Sequence, residues 1–277
     1  MNIFITESPD KVTKLLSTLE ARFKDRPLNQ ILLIASKFPS MEAAATKTQI
    51  EKIRGYLANN ESPAKAFKLL ALDDVGDTIL GNPLFKRWKD YVWDFNKKHP
   101  GQHESWFEPL LWNYQWGGVD LMIERAMKNP NTLNIAKSVE REWHQYWLAE
   151  KKLPQEVFRF LGLNKAGDKT LANPKFQTWV EYLDDFNQLY PEQKTTIIDG
   201  LRANYNDINI LRIFNTAKKD PSTEKLVPKL QSSHIDKWVA EKEPVETLKR
   251  MFDHIPNYGE MIEGYAKRLG ALSRNNS

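Results

Sequence analysis

The stretch Asn82-Pro83-Leu84-Phe85-Lys86-Arg87-Trp88-Lys89-Asp90-Tyr91-Val92-Trp93-Asp94-Phe95-Asn96 returns 91 residues later with its skeleton intact. Asn82, Pro83, Phe85, Trp88, Tyr91, Asp94, Phe95 and Asn96 reappear as Asn173, Pro174, Phe176, Trp179, Tyr182, Asp185, Phe186 and Asn187. The apolar members fall at i, i+3, i+6 and i+10, which places Phe85, Trp88, Tyr91 and Phe95 on one side of a helix. Asn82 reads as its N-cap and Pro83 as its first residue, where a missing N–H costs nothing. Pro100 and Pro191, also one period apart, stop the helix.

Outward from this stretch the repetition continues. Compared without a gap, residues 62–152 and 153–243 share 28 identical positions in 91, where unrelated chains would share roughly five or six, so the pattern reads as a duplication. Each copy reads as five helices, in the first copy about 63–73, 82–98, 103–116, 118–128 and 131–151. Residues 1–61 read as the C-terminal part of an earlier unit, with helices near 9–25, 27–37 and 40–60. The marker Ala-x-Lys-x-Pro occurs at Ala35/Lys37/Pro39, Ala126/Lys128/Pro130 and Ala217/Lys219/Pro221. Residues 244–277 start a further unit without an Asn-Pro-x-Phe-x-x-Trp and read as truncated capping helices, since the outer face of a terminal repeat has no neighbour to bury it.

Three details carry structural expectations. Gly117-Gly118 should break the third helix from the fourth, with Asn206-Asp207 as the counterpart. Pro228 lies inside the last helix of the second copy and should delay or kink it. Tyr56, Trp147 and Trp238 end the last helix of successive units, so each should form a joint with the next unit, Trp147 near Phe158. No linker rich in Gly, Ser or Pro intervenes, which predicts a stiff end-to-end rod.

Composition narrows the chemistry. Apolar residues make up 41% and charged residues 27% of 277, with 12 Gly and 15 Pro, a profile of a folded all-α chain. There is no cysteine, hence no disulfide framework and no thiolate site. Met1–Asp10 has neither a basic n-region nor a long apolar core, so the chain reads as cytosolic or as a mature part whose targeting region lies elsewhere. The net charge of +4 is mild and mixed, without basic runs of nucleic-acid type.

His99 and His103 are separated by Pro100-Gly101, which breaks the helix that i, i+4 metal ligation would use. Asp73-Asp74 and Asp184-Asp185 are sequence neighbours that point to different sides of a helix, so they read as solvated or capping residues, not catalytic carboxylates. No phosphate cradle, nucleophile elbow or His-Glu-x-x-His is present. No catalytic residue, cofactor or metal is expected.

A Trp on one helix (Trp88, Trp179) paired with a Tyr on another (Tyr114, Tyr205), preceded by a leucine-containing helix (Phe67, Leu70, Leu72; Phe158, Leu161, Leu163), resembles the tandem WY/LWY repeat of secreted oomycete RXLR effectors. The resemblance implies α-helical bundles joined end to end, with Phe85, Trp88, Tyr91, Tyr114, Phe176, Trp179, Tyr182 and Tyr205 in their cores. It also implies secretion by a pathogen and action in the cytoplasm or nucleus of a plant cell. There the protein would be a non-enzymatic virulence effector that binds a host protein. Some members engage the scaffold subunit of protein phosphatase 2A in place of a regulatory subunit. Other host signalling, trafficking or RNA-silencing proteins are alternative partners, and a nucleic-acid-binding helical repeat is an alternative class. Neither an Arg-x-Leu-Arg nor a Glu-Glu-Arg motif lies in this chain. A capped rod needs no self-association, so a monomer is expected.

Packing residues should recur between copies, whereas partner contacts need not. Trp112 and Trp116 correspond to Ala203 and Asp207, Trp93 to Asp184, and Tyr146 to Lys237. Trp112 and Trp116 each lie about 200° around a helix from an inward residue, Leu110 and Tyr114 respectively, and should share an outward face. Trp93, Trp112, Trp116 and Tyr146 are therefore the candidate partner-binding residues, the competing reading being that their rings cover grooves against neighbouring helices.

Overall fold

The chain is all-α. A computed structural model describes residues 9–275, apart from the side chains of residues 9, 10, 12, 13, 116 and 272–275, and among the described residues there is no strand. Two compact units divide it, Met1–Trp143 and His144–Ser277. The first holds α1 (Pro9–Arg22), α2 (Asp25–Ala35), α3 (Pro39–Ala58), α4 (Pro63–Leu69), α5 (Pro83–Lys98), α6 (Glu108–Met127) and the start of α7 (Leu133–Ala149). The second holds the end of α7, then α8 (Pro154–Phe160), α9 (Pro174–Leu189), α10 (Ile197–Arg202), α11 (Asp207–Ala217), α12 (Val227–Glu241), α13 (Val245–Phe252) and α14 (Tyr258–Asn275).

The expected caps form. Asn82 and Asn173 accept the N–H of Leu84 and Lys175 at 2.8 and 2.9 Å, ahead of α5 and α9. Each of these helices buries one apolar face: Phe85, Trp88, Tyr91 and Phe95 in α5, Phe176, Trp179, Tyr182 and Phe186 in α9. The helix expected over 63–73 ends at Leu69 and gives way to 3₁₀ turns at Leu72–Asp74 and Gly76–Gly81. The helix expected from 103 begins at Glu108, because Ser105 Oγ accepts from the N–H groups of Phe107 and Glu108 at 3.0 and 3.2 Å. Ahead of it, the Asn96 amide grips both the N–H and the carbonyl of Glu104, as Asn187 does for Thr195.

The break in α6 falls at Gln115 (φ 56°, ψ −177°), not at Gly117-Gly118. Gln115 lies one period before Asn206, the N-cap of α11, so both copies change direction at the same position. Pro228 acts as expected: α12 starts at Val227 with the proline in its first turn, three residues later than α7 by the repeat count.

Polar atoms buried beside the aromatic core recur with the period. Trp88 Nε1 donates to the Pro63 carbonyl at 2.9 Å and Trp179 Nε1 to that of Pro154 at 2.7 Å. Tyr114 and Tyr205 donate to the carbonyls of Leu72 and Leu163. Phe67 meets Trp88 edge-on at 4.9 Å between ring centres, and Phe158 meets Trp179 at 5.0 Å. This recurrence supports our proposal that 62–152 and 153–243 are the repeating modules, flanked by the partial unit 1–61 and the cap 244–277.

The joints share one backbone device. Asn60, Lys151 and Lys242 take left-handed conformations with φ of 54°, 51° and 56°. The following N–H groups of Glu61, Lys152 and Glu243 bond back to the carbonyls of Tyr56, Trp147 and Trp238 at 3.0, 2.9 and 3.1 Å. This is the Schellman arrangement that ends a helix abruptly. Each turn presents a carbonyl to a tyrosine from the next element: Tyr91 donates to Glu61, Tyr182 to Lys152 and Tyr265 to Glu243. Trp147 packs against Phe160 and Tyr182, at 6.2 and 6.0 Å. Phe158, expected beside it, turns inward to Trp179 and Tyr205, since two residues along a helix rotate a side chain by about 200°.

One substitution between copies changes the core chemistry. Trp143 is matched by His234, which is fully buried against Phe214 and Trp238, 3.4 Å from Asp207. Burial pushes its pKa from 6.5 down to about 4, against the pull of the Asp207 carboxylate. The folded imidazole is thus neutral where the unfolded one already takes up a proton. Its contribution is complete above pH 6.5 and is lost as pH falls toward 4, a difference on the order of 3 kcal/mol. Urea melts of His234→Phe should lose that slope between pH 6.5 and 4, and an unchanged slope would refute the assignment.

Two further substitutions test the core. A Cβ at Gly200 would lie 2.6 Å from Cη2 of the fully buried Trp179 ring, so Gly200→Ala should cost about 1–3 kcal/mol by overpacking. Trp179→Ala should cost about 3–5 kcal/mol. Calorimetric or urea unfolding of both variants checks these values.

Candidate partner-binding surface

The aromatic residues that differ between copies fall unevenly in the structure. Trp93 projects from the outer side of α5 and is 74% exposed. Its neighbours one helical turn away include Lys89, Asp90 and Lys97, so an apolar ring stands in a charged surround. Trp112 lies on α6 just before the kink and is 64% exposed, between the buried Leu111 and the half-buried Asn113.

The Trp116 side chain lies outside the described residues. An outward face shared with Trp112 requires an unbroken helix, and the positive φ at Gln115 between them removes that i, i+4 register. Tyr146 belongs to the second compact unit and is half-buried. Its counterpart Lys237 pairs with Asp199 at 2.6 Å.

The expected core residues sit inward. Phe85, Trp88, Tyr91, Phe176, Trp179 and Tyr182 are buried, whereas Tyr114 and Tyr205 are half-buried, with their hydroxyls bonded to main chain. Burial pushes the hydroxyls of Tyr91 and Tyr114 up to about 12. Tyr56 and Trp238 are buried and find similar partners, Asp25 at 3.3 Å and Asp207 at 2.8 Å. Asp25, Trp116 and Asp207 are successive occupants of one position in the period. Trp116 thus replaces an aspartate that both sister copies use structurally, a signal that required knowing the hydrogen bonds.

The other titratable groups are engaged in packing. His99 lies against the Phe95 ring and beside Asn60, at 3.2 Å. Asp73 and Asp74 are not merely solvated: both take the Arg26 guanidinium, at 2.6 and 2.7 Å. His144 pairs with Asp185 at 3.0 Å. Among the described residues no three His, Asp or Glu side chains are grouped to hold a metal, and no helix is long and apolar enough to cross a membrane. Trp106, which the pattern did not single out, carries the Lys89 ammonium 3.7 Å above its ring. A cavity of about 740 Å³, with Lys89 in its wall, opens between the start of α5 and the start of α7, lined by Pro83, Lys86, Asn131 and Ile135.

Comparison with known proteins accounts for this architecture. The family described as "Effector PexRD54, WY-domain" matches residues 142–183. An RxLR effector protein of Phytophthora infestans (strain T30-4) is 49% identical over 273 residues, covering 99% of this chain and 40% of that protein. The RxLR effector protein PSR2 of Phytophthora sojae is 34% identical over 235 residues, covering 84% of this chain and 35% of that protein. The chain thus spans less than half the length of these two relatives. The crystal structure of PcRxLR12 superimposes with a TM-score of 0.68 at 27% identity, over 94% of this chain and 64% of that one. With the Trp and Tyr residues seated in helical bundles as the sequence pattern required, the chain belongs to the RxLR effector family and has its all-α, WY-type fold.

Proposed function

We propose that this chain is a partner-binding part of a secreted virulence effector, which works in the plant cytoplasm or nucleus by holding a host protein and makes or breaks no bond. The observation that carries this reading is the exposure of Trp93 and Trp112, where the second copy has Asp184 and Ala203. A repeat needs the same core in each copy, so large exposed rings confined to one copy serve something other than its packing. Tryptophan is also among the residues that most often anchor interfaces. Tyr146 and Trp116 remain candidates on the same comparison of copies.

The family resemblance makes the scaffold subunit of protein phosphatase 2A the first specific partner, displaced from its regulatory subunit. A different host signalling, trafficking or RNA-silencing protein is the second reading, and nucleic acid the third. The chain is taken to act as a monomer.

The test gives the first copy the residues of the second. Trp93→Asp with Trp112→Ala should weaken capture of the plant partner by at least about 30-fold, as expected for loss of an anchor worth about 2 kcal/mol or more. The melting temperature should stay within a few degrees, since both rings are exposed. Pull-down from plant extract with mass spectrometry reads the partner. Recovery of the phosphatase scaffold with its catalytic subunit, lost in the double variant, supports the first reading. Tryptophan-dependent recovery of another host protein supports the second, and ribonuclease-sensitive retention the third. Undiminished capture by the folded double variant overturns the proposed surface.

A further inference from the structure

A second cavity, of about 300 Å³, lies in the first compact unit between α2, α3 and the start of α5. Its size is at the lower end of ligand pockets. Leu33, Ile50 and Leu84 give it an apolar lining, and Lys37, Arg87 and a single acid, Glu42, also line it. Neither Lys37 nor Arg87 has an ion pair among the described residues. Gln49 also lines it and is only 3% exposed, yet its Nε2 has no hydrogen-bond partner. A buried donor left unmade is costly and calls for a specific explanation.

The repeat shows that packing does not require these residues. One period on, Leu33, Ile50 and Leu84 become Glu124, Arg141 and Lys175, while Arg87 becomes Thr178 and Gln49 becomes Glu140. The apolar lining and the free amide donor, where the partial unit 1–61 meets the first copy, are therefore not repeated one period on, whereas Lys37 recurs as Lys128.

We infer that this cavity binds a peptide segment of a partner protein that carries an apolar side chain next to a carboxylate. The apolar group fills the space between Leu33, Ile50 and Leu84. Gln49 Nε2 donates to a main-chain carbonyl of the segment. The carboxylate lies between Lys37 and Arg87, whose charges outweigh that of Glu42. This surface is separate from Trp93 and Trp112 and does not depend on the identity of their partner.

N-acetyl-L-leucine carries all three groups in the smallest form and serves as the probe, followed by nitrogen-15 spectra of the whole chain. N-acetyl-L-leucinamide lacks the carboxylate, and N-acetylglycine lacks the apolar side chain. N-acetyl-L-leucine should shift the Gln49 side-chain amide saturably in the millimolar range, and both controls should bind about tenfold more weakly. Added salt should weaken the first probe and leave the leucinamide unchanged. Lys37→Gln with Arg87→Thr, both at exposed positions, should reduce binding to the level of the leucinamide. Gln49→Leu, read at the backbone amides of Leu33, Ile50 and Leu84, should abolish saturable binding with an equal or higher melting temperature, since it removes an unpaired donor; binding retained at those amides overturns the role given to Gln49. Absence of a saturable shift at Gln49, or equal binding of acid and amide, overturns the proposal. So do shifts that follow protein concentration without any probe, which would make a second copy of the chain the occupant.

Discussion

A tyrosine hydroxyl that reaches back to a main-chain carbonyl just past a helix end is the contact on which the arrangement of helices turns. Ending a helix in a left-handed residue frees the next carbonyl from the helical ladder, and a freed carbonyl facing an apolar core is costly unless something donates to it. Tyr91 and Tyr182 donate from inside the apolar faces of α5 and α9, and Tyr265 does so from α14. Phenylalanine could fill the space but not make the bond. The indole N–H groups of Trp88 and Trp179 act similarly on Pro63 and Pro154. The Trp and Tyr of the repeat therefore specify which helix end meets which helix face, beyond supplying bulk.

Much of this was legible in the chain because caps and core faces are local. Asn82-Pro83 is a start signal, and the spacing of Phe85, Trp88, Tyr91 and Phe95 is a helical face, whatever surrounds them. What the residues hid depended on tertiary partners. Gly117-Gly118 is the stronger breaker by propensity, but the turn occurs where Asn206 caps the sister helix, so repeat position outweighed propensity at Gln115. Phe160 replaces Phe158 beside Trp147 because Phe158 is already taken by Trp179. The C-terminal cap seemed to abandon the pattern, yet Tyr265 fills the role of Tyr182 with Ile262 buried one turn before it. Gln49 carried no signal at all, since an unpaired amide is visible only once its neighbours are known.

The two copies also differ in how their surfaces are finished. In the second, Arg202 makes a two-pronged bond to Glu241 at 2.6 and 2.7 Å, and Lys237 meets Asp199. The corresponding residues of the first copy are Leu111 with Glu150 and Tyr146 with Glu108, which cannot form these pairs. Partly exposed ion pairs contribute about 0–1 kcal/mol each, so their absence costs the first copy little, and Leu111 is buried where Arg202 is only partly so. Duplication followed by this kind of exchange keeps the aromatic core in both copies while their remaining contacts diverge.

The buried hydroxyls have an optical consequence. Tyr91 and Tyr114 are held up to about 12, and Tyr182 is raised further, in each case first by burial. In the unfolded chain the same groups ionise near 10. The stabilisation that rests on their neutral form is complete below pH 10 and is lost as pH rises through the folded values. Between those limits ionisation and loss of the hydroxyl's bond to its carbonyl are linked, so alkaline ultraviolet difference spectra follow the loosening of these helix contacts together.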